Sequence, residues 1–116
     1  MKSFFLFLTV CLLVVYISCS KKNDSIVSPQ IDCSGIDSRF TAKVSPIIQR
    51  SCAIAGCHAN GSTNGPGPLT NFTQIHNTAV VIKSAVIAGR MPKGGVLITE
   101  EKNIISCWVA GGSPND

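Results

Sequence analysis

The chain is short of large side chains and short of charge. Beyond residue 19 its only aromatics are Phe40, Phe72 and Trp108, and 14% of all residues are Asp, Glu, Lys or Arg. A domain of this size has little core to spare, so it needs a staple or a bound group to fill its interior. The formal charge of +4 is mild, and the basic residues form no dense run beyond Lys21-Lys22. That argues against a nucleic-acid-binding face. There is no internal repeat. Strand signals are weak, because Val96-Leu97-Ile98 is too short to matter. The fold class expected is all-α.

What is present starts with Lys2 and an apolar run from Phe4 to Ile17, broken only by Thr9. That run is too short for a comfortable membrane span, which takes about 20 apolar residues. A basic start followed by a short apolar run reads as a secretory signal over residues 1–18. The signal ends in Tyr16-Ile17-Ser18-Cys19, which resembles the lipobox of bacterial lipoproteins. The resemblance implies cleavage before Cys19 and acylation of its thiol; Tyr16 departs from the pattern, which usually has Leu there. A diacylated Cys19 would supply the two signals that stable anchoring takes. The expected location is the cell envelope, on the periplasmic side or at the outer membrane. Ordinary cleavage after Ser18, leaving a soluble protein, is the alternative. Residues 19–38 read as a tether and arm, and 39–116 as the domain.

Within that domain Phe40, Val44, Ile47 and Ile48 fall on one helical face. Pro46 either opens a short helix capped by Ser45 or kinks a longer one. The helix should end near Cys52. Residues 59–68 are rich in Asn, Gly, Ser, Thr and Pro and read as a loop. Asn71 or Thr73 can cap a second helix carrying Phe72, Ile75, Ala79, Val80 and Ile82. Lys83 to Ala88 continues as a further helical piece that stops at Gly89. Thr99 is a good N-cap, with Glu100 and Glu101 in the first turn. Ile104, Ile105, Trp108 and Val109 form the apolar face of the last helix, which Gly111-Gly112 ends.

Six cysteines are present, of which Cys11 leaves with the signal and Cys19 takes lipid. Cys33, Cys52, Cys57 and Cys107 remain, in a compartment where thiols do not stay idle. Cys52-Ala53-Ile54-Ala55-Gly56-Cys57-His58 carries the chemistry. Two thiols can add across the two vinyl groups of a haem, and a His directly after the second Cys then lies under the ring centre. The usual spacing has two residues between the cysteines, and here there are four. Ala53, Ala55 and Gly56 are small enough for the extra length to bulge. Two other readings remain open: a Cys52–Cys57 disulfide, or a four-ligand zinc site of Cys52, Cys57, His58 and His76.

A haem held by one His needs a second axial ligand or leaves that position open. Met91 is the only methionine after Met1, and it sits in the loop Gly89-Arg90-Met91-Pro92-Lys93-Gly94-Gly95. Pro92 pushes Met91 toward extended backbone. Such a loop can present a thioether to iron, or Met91 can simply fill a gap. His76 is the rival ligand.

From about Phe40 to Asn115 the chain resembles a class I cytochrome c, most like the small mono-haem domains of bacterial lipoproteins. The resemblance rests on Cys52, Cys57 and His58, on Met91-Pro92, on Val44-Ser45-Pro46-Ile47 and on Trp108 before Gly111-Gly112. It implies one covalent haem c, with Cys52 and Cys57 at the vinyl positions, His58 as proximal ligand and Met91 as distal ligand. It also implies that a carbonyl near Gly65-Pro66-Gly67-Pro68-Leu69 holds the His ring through its other nitrogen. Pro66, Pro68 and Leu69 then pack on the haem. Trp108 packs against the haem edge, where its N–H reaches a propionate, or serves as a core anchor. Cys33 and Cys107 are expected to pair and pin the arm to the last helix, the alternative being two separate thiols.

The function implied is an electron carrier, not an enzyme, working as a monomer with envelope redox proteins. Lys83, Arg90 and Lys93 either steer an acidic partner or form a solvated face. The alternatives are a haem sensor or peroxidase-like protein with a labile distal ligand, and a haem-free disulfide-bonded lipoprotein that acts as an interaction module.

Overall fold

The computed structural model describes residues 30–116, of which Ile31–Asp116 form one compact unit. The signal over residues 1–18, Cys19 and the tether up to Pro29 lie outside the described residues. All regular structure in the described residues is helical. No described helix is long and apolar enough to cross a membrane.

A π-helical turn, Phe40–Val44, runs directly into helix α1, Ser45–Ser51. Val44 N–H reaches back five residues to the Arg39 carbonyl at 3.2 Å. This wide turn sits where the Pro46 ring would crowd the Ala42 carbonyl of a regular α-helix. Ser45 makes no side-chain cap bond, and Pro46 occupies the first turn of α1. Helix α2 is Phe72–Asn77 and α3 is Ala79–Ile87. Asn71 caps α2, its Oδ1 accepting the Gln74 N–H at 3.0 Å. The break between α2 and α3 falls at Thr78, earlier than Lys83. There the Thr78 hydroxyl donates to the Gln74 carbonyl at 2.8 Å and competes with the helical ladder.

Helix α4 is Thr99–Ala110. Its cap lies one residue earlier than Thr99, because the Glu101 carboxylate accepts the Ile98 N–H at 3.1 Å. It closes in a Schellman motif. Gly112 takes a φ of 88°, Ser113 N–H donates to the Trp108 carbonyl at 2.9 Å, and Gly112 N–H donates to Val109 at 3.2 Å.

Helix α4 packs against both the π turn and α3. Trp108, only 1% exposed, anchors this core. Its ring lies 5.5 Å from Phe40, which meets Phe72 edge-on at 4.9 Å. Asp116 closes the unit. Its side chain accepts the Phe40 N–H at 2.8 Å and its carbonyl accepts the Thr41 N–H at 2.9 Å, satisfying donors at the start of the first helix. A disulfide joins Cys33 to Cys107, and Ile36 packs on the core, so the arm from Ile31 is part of the unit.

Candidate functional site

Helix α1 ends at Ser51, and Cys52 is its C-cap, with its N–H donating to the Ile48 carbonyl at 2.8 Å. The chain then turns back on itself. Gly56 takes a φ of 80°, Cys57 N–H donates to Ile54 at 3.0 Å, and His58 N–H returns to the Cys52 carbonyl at 3.0 Å. The four residues between the cysteines thus form a compact bulge, and Cys52, Cys57 and His58 share one wall. Both thiols are free, so the structure does not join Cys52 to Cys57. Burial pushes the Cys52 thiol up to about 11, with Cys57 nearby adding to the shift. Cys52 is therefore a protonated thiol at neutral pH.

His58 is 6% exposed. Its Nδ1 lies 2.9 Å from the Gly67 carbonyl. A carbonyl only accepts, so Nδ1 carries the proton and Nε2 is the free acceptor. Nε2 has no hydrogen-bond partner among the described residues, yet it is not a buried unpaired atom. His58 lines the large cavity described next. The Leu69 N–H donates to the His58 carbonyl at 2.9 Å, and Gln49 Nε2 donates to the Leu69 carbonyl at 3.2 Å. These bonds hold the loop after His58 against α1.

Further lining comes from α3, through Val81, Ile82, Ala85 and Val86, and from the loop that follows it. Arg90 N–H and Met91 N–H both donate to the Ala85 carbonyl, at 2.9 and 3.3 Å, which hangs the Met91-Pro92 loop on the end of α3. The cavity, of about 740 Å³, is lined by Cys52, Cys57, His58 and Met91. That volume falls within the range of small-molecule and cofactor sites, about 300–1,000 Å³. Its charged lining is Arg50 and Lys93 alone, and no Asp or Glu occurs between Ser38 and Thr99. Arg50 of α1 pairs with Glu101 in the first turn of α4.

Other residues singled out in the sequence fall elsewhere. His76 does not face the cavity. It is exposed on α2, its Nδ1 bonds the Ser113 carbonyl at 2.9 Å, and its ring lies 5.2 Å from Phe72. Among the described residues no three His, Cys, Asp or Glu side chains converge on a metal site, so the four-ligand zinc set does not assemble. Trp108 is a core anchor, and its indole N–H donates to the Pro114 carbonyl at 2.9 Å, which leaves no donor for a propionate. Pro66 and Leu69 line the cavity, while Pro68 is half-buried outside it.

The sequence reading did not assign the α3 wall, Asn64 or Arg50 to the site. The wall had a signal in the helical spacing of Ile82, Ala85 and Val86; Asn64 had none.

The residues present fit a covalently held haem: two thiols, one imidazole with its acceptor nitrogen unbonded, a thioether and apolar walls share one large cavity. Comparison with family models, curated proteins and solved structures finds no match for this chain.

Proposed function

We propose that this chain is a mono-haem c-type cytochrome that carries single electrons between redox proteins of the cell envelope. One observation carries the reading. Cys52, Cys57, His58 and Met91, drawn from two separate stretches of the chain, line the same cavity, and His58 keeps Nε2 unbonded among the described residues.

When bound, the haem supplies a one-electron iron couple. The chain's own residues do the rest. Cys52 and Cys57 offer thiols for two thioether links. The Nδ1–H bond to Gly67 fixes the His58 tautomer, orients its ring and raises its basicity as a ligand. Met91 would offer a thioether to the bound group from the loop after α3. Leu69, Ile82 and Val86, all buried, exclude water from the site. A His/Met pair and a dry pocket favour a potential above that of a bis-His centre. Lys93 on the lining, with Lys83 and Arg90 nearby in sequence, suits an acidic redox partner in a small, transient interface. Acylation at Cys19 would hold the domain at a membrane surface while leaving it free to meet partners.

The test is the pyridine absorption spectrum and intact mass of the chain exported by a host able to attach haem. A covalent-haem spectrum, and one haem mass on the peptide spanning Cys52 to His58, are expected. A colourless chain with no added mass ends the proposal. In the loaded protein, a near-infrared thioether band that disappears in Met91→Ala identifies the distal ligand. Ready CO binding by the reduced wild type would instead point to a labile distal position.

A further inference from the structure

Gly67 provides the carbonyl that takes the His58 Nδ1–H, yet its own segment has few ways to be held. Pro66 and Pro68 flank it, and neither has an N–H to donate. Over residues 66–68 the Gly67 N–H is therefore the only main-chain donor, and it goes to the Asn64 carbonyl. Asn64 is in turn fixed through its side chain. Its Nδ2 donates to the Gly56 carbonyl at 3.1 Å and to the Cys57 carbonyl at 2.9 Å. Its N–H donates to Ser62 Oγ at 3.2 Å, and that hydroxyl also donates to the Cys57 carbonyl. Asn64 itself lines the cavity.

The bonds form a closed ring. Cys57 is held by Asn64, Asn64 holds Gly67, Gly67 holds the His58 imidazole, and His58 follows Cys57 in the chain. We propose that Asn64 is a positioning residue for His58, locking the imidazole in one tautomer and in register with the cysteine pair; this deepens the haem reading above and rests on it. Asn64 is exposed, so its amide fills no core space, and water can hydrate the two carbonyls it leaves. Water does not restore the direction of the Asn64 carbonyl, and with it the placement of Gly67. The bulge of four residues between the cysteines gives this lock its purpose. A longer turn has more conformations, and the amide ties its two last carbonyls, those of Gly56 and Cys57, to the loop that orients the ring.

The experiment uses the exported, full-length, nitrogen-15-labelled chain and two variants, Asn64→Asp and Asn64→Ala. Asn64→Asp keeps the shape but replaces the donor with a carboxylate oxygen that repels both carbonyls, and Asn64→Ala removes the donor without adding charge. The readout is solvent exchange of the His58 Nδ1 proton, measured beside the Trp108 indole proton that bonds Pro114 on the other side of the molecule. In both variants the His58 proton should exchange about tenfold faster, as expected for the loss of one supporting hydrogen bond, with the Trp108 proton unchanged. An unchanged His58 rate overturns the proposal. So does a parallel rise at both protons, which would mean general loosening of the fold. Mass on the same samples separates the two ideas. A wild-type chain without haem removes the cytochrome reading, and the nitrogen-15 shifts of the His58 ring then read the Nδ1–H tautomer directly. That tautomer should lose share in both variants, and no change there would equally overturn the role of Asn64.

Discussion

The molecule has two sides built by different means. Where α4 packs on the π turn, Trp108, Phe40 and Phe72 are in contact, the Cys33–Cys107 disulfide ties down the arm, and Asp116 closes the helix start. Around the 52–69 loop, hydrogen bonds from backbone and polar side chains do the holding, the two cysteines are free thiols, and the loop and α3 both line a cavity. Large apolar side chains are exposed at its rim, with Val81 at 56% and Val96 at 85%. Among the described residues the aromatics Phe40, Phe72 and Trp108 all lie on the first side. The contrast suggests that the first side is a finished core and the second a core completed by an occupant.

The contrast can be broken most directly at Trp108. Trp108→Ala should cost roughly 3–5 kcal/mol in the haem-free chain, the usual range for removing a buried aromatic. Denaturant unfolding measures it, and a small loss would mean that the α4 side is not the finished core described here. Next is the disulfide. Removing it as Cys33→Ala/Cys107→Ala should cost roughly 2–4 kcal/mol through the longer-reaching unfolded chain, read as a lower thermal midpoint under non-reducing conditions.

A pH series then tests the cavity side. The fold raises the Cys52 pKa from its ordinary value of 9.0 to about 11, so it favours the protonated thiol. The associated stability is fully present below about pH 9 and is lost as pH rises toward 11. The haem-free chain should therefore lose thermal stability over that window more steeply than its Cys52→Ala variant. A haem-loaded chain, in which that thiol no longer exists, should show no such slope. Equal slopes in the haem-free chain and the variant would place Cys52 in contact with water. The smallest effect is expected at His76. His76→Ala should cost about 1 kcal/mol for its bond to Ser113. It should leave the absorption spectrum of the loaded protein unchanged, whereas a spectral change would put His76 back among the candidate ligands.

Much of the helical layout was legible from the sequence, and the errors are informative. The 3.6-residue apolar spacing located the buried faces of α1 and α4, because burial of one face imposes that period. The boundaries at Thr78 and Ile98 were displaced because single side chains, the Thr78 hydroxyl and the Glu101 carboxylate, compete locally for backbone groups. Propensity alone does not register such competition. The π turn before Pro46 was invisible for the same reason: it resolves a clash between one ring and one carbonyl.

The sequence by itself determined the kinds of donor this protein owns and their local order: two thiols, an adjacent imidazole, a downstream thioether and a proline-flanked glycine. Those follow from covalent neighbours and short-range geometry. Only the tertiary structure decided that Met91 and not His76 looks into the cavity with His58, that Gly67 is the carbonyl on the ring, and that the Trp108 N–H is already engaged by Pro114. Those outcomes depend on how α3 and the C-terminal tail fold back across long stretches of chain. Such contacts are set by burial and chain reversal summed over the whole unit, and no local window of residues contains that sum.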